Sequence, residues 1–246
     1  MSECRLCLND RTLCKSHIFP EYMYAHCYDD NHSYIEFNAE DGRYNKRRRK
    51  GIYEKLLCDD CEGIIQEYED YGKCVLYDDA KLRIEATKKP YCNENYDYRL
   101  FKLFVLSLLW RASVSTQDSF KLASLGKYEE ELRVVLLNGL ETPENNYPIY
   151  MYQTHIDGNP SNGVFMEIYP AKSKYDGKII YQFVADGVFF FVGVGIQSLK
   201  TFRHGTWVNK KLIQIGYDEL TKLSALVDVF ARLHHQGKFS VYDKKA

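Results

Sequence analysis

Long apolar runs are missing from this chain. The best of them, Leu100 to Trp110, is interrupted by Lys102 and falls short of the roughly 20 residues a bilayer-spanning helix needs. The opening stretch from Met1 to Arg11 is polar and already carries two cysteines, unlike the apolar centre of a secretory signal. An excess of charge of either sign is missing too: 33 Lys+Arg stand against 34 Asp+Glu, a net charge of −1. No overall basic field announces nucleic acid, so any anion-binding surface has to be local. A glycine-rich phosphate loop, a dinucleotide fingerprint and a nucleophile elbow are all absent, which removes the enzyme classes built on them. These absences predict a soluble, cytoplasmic protein without membrane attachment. The hydrophobic fraction of 45% is ample for a packed core.

Cysteine is what the chain does have, at positions 4, 7, 14, 27, 58, 61, 74 and 92. Cys4-Arg5-Leu6-Cys7 and Cys58-Asp59-Asp60-Cys61 share one spacing. Two intervening residues let both sulfurs of a tight turn face one ion at about 2.3 Å, and four thiolates close a tetrahedron that leaves no open position. The pairs therefore predict one structural Zn²⁺ on Cys4, Cys7, Cys58 and Cys61. Residues 8–57 lie between the pairs, more than a simple zinc ribbon uses, so a further element must be inserted there. Cys14, Cys27, Cys74 and Cys92 read as ordinary thiols.

Between and after the pairs the order is knuckle, short strand, loop, knuckle, helix. Lys15-Ser16-His17-Ile18-Phe19-Pro20 supplies the first strand and Gly51 to Leu57 the second. In Glu62 to Glu69, Ile64, Ile65 and Tyr68 fall on one helical face. With Ser16-His17-Ile18-Phe19-Pro20 and Leu57-Cys58-Asp59-Asp60-Cys61-Glu62 in these places, roughly the first third of the chain resembles the HNH, or ββα-metal, nuclease family on its treble-clef zinc scaffold. The resemblance implies that His17 is the general base that activates water, a task suited to an imidazole titrating near neutral pH. It also implies a catalytic Mg²⁺ or other divalent cation at the scissile phosphate. The departures are specific. Ser16 stands where the family has an acidic ligand, Glu62 where it has a histidine, and Tyr53 and Glu54 where it has an asparagine. Glu62 is an oxygen ligand for a hard cation, or else a carboxylate on the positive end of a helix dipole. His17 is the base, or else a structural histidine bonded to backbone or to Ser16.

Lys46-Arg47-Arg48-Arg49-Lys50 puts five cations in a row between Asn45 and Gly51, read as a loop before the second strand. In the family layout this loop borders the catalytic groove, so the run is predicted to contact nucleic-acid phosphates, with DNA favoured. The alternative is a solvated charge run.

The fold class expected is α+β. Residues 1–75 form the zinc-binding HNH-like domain, 76–96 a linker, and 97–246 an α+β domain whose role the residues do not disclose. Tyr98 to Ser115 predicts a buried helix, with Trp110 and Arg111 as a stacked or simply packed pair. Lys127 to Leu137 predicts a second helix ended by Asn138-Gly139. Tyr147 to His155, Gly163 to Ala171, Lys178 to Val184 and Val188 to Val194 predict four strands of an antiparallel meander, with Asp186-Gly187 as a hairpin turn. Residues 217–236 predict a closing amphipathic helix. Overall the resemblance implies an HNH-like metal-dependent nuclease, or a protein derived from one, of the kind found among phage-defence and mobile-element proteins. The alternative is a catalytically inactive zinc module that binds nucleic acid or protein. A protein partner or a second copy is left to the C-terminal part.

Overall fold

A computed structural model describes residues 2–36, 45–172, 177–198, 208–219, 231–232 and 234–236. The chain is a mixed α+β protein with four α-helices and one large sheet among the described residues.

The chain opens with two short paired strands, β1 (Ser2–Glu3) and β2 (Asp10–Arg11), on either side of the first cysteine turn. That turn closes with Leu8 N–H donating to Cys4 O at 2.8 Å. Strand β3 (Leu13–His17) follows, then a 3-10 helix over Glu21–Cys27. Next come two short paired strands, β4 (Tyr34–Glu36) and β5 (Lys46–Arg48). Strand β6 (Tyr53–Cys58) pairs antiparallel with β3 and runs directly into helix α1 (Asp59–Val75). Only glycine fits at the entry to β6. A Cβ on Gly51 would lie 2.5 Å from the Tyr24 ring, which is itself held in a stack 4.5 Å from Phe165.

Helix α1 buries Cys61, Ile65, Tyr68, Gly72 and Val75, a stripe at helical spacing. The stripe meets helix α3 (Tyr98–Val114) so closely that a Cβ on Gly72 would stand 2.3 Å from the Phe104 ring. Asp97 caps α3 by accepting from Leu100 N–H at 2.9 Å. The helix is apolar all round and is buried along almost its whole length. Its one interior lysine, Lys102, donates to Tyr98 Oη and Pro143 O at 2.8 Å and to Asn146 O at 2.6 Å. All three ammonium protons are thereby used. Helix α4 (Tyr128–Leu137) stops where expected, with Gly139 at φ +60°.

Residues 76–96 are not the irregular linker expected. A π-helical turn over Leu76–Ala80 continues α1 into helix α2 (Lys81–Thr87). Strand β7 (Tyr91–Asn93) then joins the edge of the large sheet. Alternating charge with scattered apolar residues concealed the helix, because Leu76, Ala80 and Ile84 become a buried stripe only once another element covers them.

The large sheet is built from β8 (Ile149–Ile156), β9 (Asn159–Pro160), β10 (Met166–Lys172), β11 (Ile179–Ala185), β12 (Val188–Gly193) and β13 (Ile213–Glu219), together with β7. Its order is β10-β11-β12-β8-β13-β7, with β9 hairpinned onto β8. The four predicted strands exist, but only β10, β11 and β12 form the meander. β8 pairs with β12 instead of β10, and β13 lies parallel to β8. The Asp157-Gly158 turn folds β9 straight back on β8, so β10 starts away from β8. Of the closing helix expected over 217–236, residues 217–219 are strand and 231–232 and 234–235 are helical; 220–230 lie outside the described residues.

Two buried polar groups in this sheet bear on stability. Asp186 opens the β11–β12 turn at φ +48° and is fully buried. It accepts from Lys81 Nζ at 2.6 Å, from Gly163 N–H at 2.7 Å and from His26 Nδ1 at 3.0 Å. The turn thereby ties the sheet to α2 and to the 3-10 helix. Burial pulls the Lys81 ammonium down and Asp186 opposes that pull. His155 has the opposite problem. It is fully buried, and neither ring nitrogen has a hydrogen-bond partner among the described residues. Burial, helped by the Lys88 charge, lowers its pKa; the Glu219 carboxylate counteracts only in part.

A lowered folded pKa means that the unfolded chain binds protons more readily, so this contribution is present above about pH 6.5 and lost as the pH falls through the folded value. His155→Leu removes both the orphaned nitrogens and the titration. We expect it to raise Tm at pH 5 by roughly 2–4 °C, about 1 kcal/mol, and by less at pH 7.5. Equal shifts at the two pH values would refute the assignment.

Candidate metal centre and histidine site

The first knuckle hangs off β1 and β2, and the second is the junction of β6 and α1. The pairing of β3 with β6 brings the two together. The sulfurs of Cys4, Cys7, Cys58 and Cys61 all lie within 4.8 Å of one another. Cys7 and Cys58 are 3.9 Å apart, far beyond a disulfide bond. Four thiolates around one ion at about 2.3 Å would stand about 3.8 Å from each other, so the observed cluster has the dimensions of a single tetrahedral site. Three of the four cysteines are buried. Burial alone would raise the Cys4 thiol, but bonds from the backbone of Cys7, Cys58 and Leu6 hold it at about 7. One of these is Cys58 N–H to Cys4 Sγ at 3.3 Å. Backbone amides aimed at sulfur favour thiolate, the form a metal binds. The other four cysteines take no part in this cluster.

His17 ends β3. Pro20 then breaks the extended chain, and the 3-10 helix that follows swings Glu21 back over the imidazole. Glu21 Oε2 lies 3.2 Å from His17 Nε2. The same carboxylate accepts from Gly51 N–H at 3.1 Å and from the Tyr28 hydroxyl, so it is fixed before it meets the histidine. Arg111 reaches in from α3 to hold the other side. Its Nη1 donates to His17 O at 2.7 Å and lies 2.5 Å from Glu69 Oε1 on α1. Of the two readings of Trp110 and Arg111, stacked or simply packed, no stacking is seen among the described residues; Arg111 is used in this clamp.

Glu62, on the first turn of α1, accepts a short hydrogen bond from Ser16 Oγ, which in turn accepts from Leu57 N–H at 3.1 Å. Burial raises the Glu62 carboxyl, while Ser16, Arg111 and His17 resist the rise. His17 and Glu62 thus share a neighbourhood. Among the described residues, however, the four cysteines are the only group of three or more potential ligands close enough to share an ion. The expected catalytic cation therefore has no ready cage here, since the Glu62 carboxylate is engaged with Ser16.

The basic run is not a free loop. Lys46–Arg48 is strand β5, where Arg47 pairs with Asp29 at 3.2 Å and Arg48 with Glu36 at 2.5 Å. Lys46, Arg49 and Lys50 remain exposed. A cleft of about 420 Å³ lined by Glu141, Thr142, Pro143, Glu144, Asn145 and Lys210 contains none of the predicted site residues.

Glu21 and Arg111 are the members that sequence reasoning missed. A local signal existed for Glu21, four residues after His17 and just past a proline that ends the strand. None existed for Arg111, 94 residues away. No described helix is long and apolar enough to cross a membrane. Compared with family models, curated proteins and solved structures, the chain matches none of them, so the reading of its site rests on its own residues.

Proposed function

We propose that this chain is a treble-clef zinc protein of HNH-like type that acts on nucleic-acid phosphodiesters, with His17 as its general base. The observation that carries this reading is the His17–Glu21 pair at the end of a strand packed on the helix of the cysteine centre. The Glu21 carboxylate beside Nε2 favours the tautomer that carries its proton there, which leaves Nδ1 as the proton acceptor a base requires. The pre-bonded Glu21 carboxylate fixes the ring and stabilises the imidazolium that forms when water gives up its proton. Arg111 holds the backbone of His17 from behind. Zn²⁺ on Cys4, Cys7, Cys58 and Cys61 would be structural, because four thiolates leave no site for water. A divalent cation, where one is recruited, would supply stabilisation of the leaving oxygen.

A second reading has its own support. Ser16 and Glu62 occupy the two places where the family holds its cation, and they are bonded to each other. A module that binds nucleic acid without cutting it accounts for that bond. Plasmid nicking in Mg²⁺ or Mn²⁺ separates the two. We expect wild-type protein to nick, His17→Ala to lose about a hundredfold or more, and Glu21→Gln to fall between them. Equal cutting by wild type and His17→Ala, or none by either, removes the nuclease reading and leaves the binding module.

A further inference from the structure

We infer that the outer face of the β3–β6 pair is a platform for single-stranded nucleic acid that leads a phosphodiester to His17. This inference rests on the functional reading above and deepens it. Lys15 is paired directly with Lys55 across the two strands, and His17 with Tyr53. Side chains alternate along a strand, and direct partners share a face. Lys15, His17, Tyr53 and Lys55 therefore project together, while Ser16 and Glu54 project to the other side. Burial agrees with this division. Lys15, Tyr53 and Lys55 are exposed, whereas Ser16 is completely covered. Glu54 is held away from the lysines by Ser115 Oγ at 2.8 Å and by Thr116 N–H at 2.9 Å.

Two like charges directly opposite each other destabilise an antiparallel pair, and neither lysine has an acidic partner among the described residues. A bound phosphate would relieve that repulsion. Tyr53 adds an aromatic surface, 39% exposed. Its ring lies 5.9 Å edge-on from the His17 ring and 5.4 Å from Lys15 Nζ. An exposed ring beside paired cations is the combination that holds unpaired bases and their backbone. Bases paired and stacked inside a duplex offer no free face to such a ring. The run from Lys46 to Lys50 is a weaker candidate for the primary contact, since Arg47 and Arg48 already pair with Asp29 and Glu36.

The test is anisotropy of a labelled oligothymidylate, and of a duplex of equal length, titrated with full-length protein across a potassium chloride series. Wild type should prefer the single strand. Lys15→Gln with Lys55→Gln should lower the slope of log affinity against log salt by about 1.4, two contacts at roughly 0.7 each. Tyr53→Ala should weaken binding about tenfold or more, and Tyr53→Phe should restore it. Unchanged metal content and melting in each variant establish that only the face has altered. If wild type binds or nicks while the lysine and Tyr53→Ala variants match it, the platform is overturned and the functional reading stands. If wild type binds no nucleic acid even at low salt, both fall.

Discussion

Purified wild-type protein is expected to carry about one zinc per chain, and Cys58→Ser is expected to carry none and to lose the folded N-terminal third. Cys58 sits where β6 becomes α1, is 4% exposed, and donates its N–H to Cys4 Sγ. Replacing its sulfur opens the tetrahedron and leaves three crowded, partly buried thiols. Structural zinc in small finger peptides binds with about 10–16 kcal/mol of free energy coupled to folding. A whole domain is commonly stable by about 5–15 kcal/mol, so loss of the ion is large on that scale. The effect should also spread beyond the knuckles. Tyr68 on α1 donates to Leu136 O at 2.9 Å and Arg133 on α4 donates to Leu6 O at 2.6 Å, so α4 ties α1 to the first cysteine turn. Elemental analysis and circular dichroism, before and after chelation, check this. A metal-free wild type with the same melting curve as Cys58→Ser would end the zinc assignment.

The second large effect is expected from Asp186→Ala. Asp186 is fully buried and Lys81 is 8% exposed, so removing the carboxylate strands an ammonium in the interior. Breaking one side of a buried pair costs about 3–5 kcal/mol. Alanine also fits poorly at φ +48°. Asp186→Asn separates these two terms, because asparagine tolerates the left-handed backbone and its single amide oxygen keeps one of the two hydrogen bonds that Lys81 and Gly163 give to different carboxylate oxygens. It should lose less than alanine does. Adding Lys81→Met to Asp186→Asn should recover stability relative to Asp186→Asn alone, because the uncompensated charge is gone. Urea midpoints for the set decide the matter. A loss under about 0.5 kcal/mol for Asp186→Ala would mean that the pair contributes nothing net.

The parts of this molecule that could be read from the sequence are those encoded locally. Two cysteines at a fixed spacing make a knuckle whatever surrounds them, and the matched pairs identified all four members of the cysteine cluster. The chain from Tyr98 to Val114 is apolar on every side, so its helix and its burial were both legible. The run of valines and phenylalanines from Val188 to Val194 and the Asp186-Gly187 turn marked a hairpin in the same way. What the sequence did not disclose depends on meetings across long separations. The pairing of β8 with β12, and the parallel seat of β13 beside β8, arise from how the sheet closes. The ionic role of Asp186 needed Lys81 and His26, 105 and 160 residues away. At the histidine, the base candidate stood out beside its Ile-x-Pro neighbours, but its two restraints did not. The basic run was read as a loop, but Lys46–Arg48 is a strand. Acidic residues were visible nearby in the sequence, yet not that Asp29 would pair with Arg47 and Glu36 with Arg48.

At Gly72 a phenylalanine ring rests on bare backbone, and that contact limits how freely the first third of the chain could be transplanted. Severed after Val75, it would carry a notch shaped for Phe104 and a wet strip of Ile65 and Tyr68 beside it. Fused to a different body, it would need an aromatic knob at the same height along the new helix. The cysteine-bound head and the helix beneath it are thus a matched key and lock, and exchanging one between proteins would require exchanging the other.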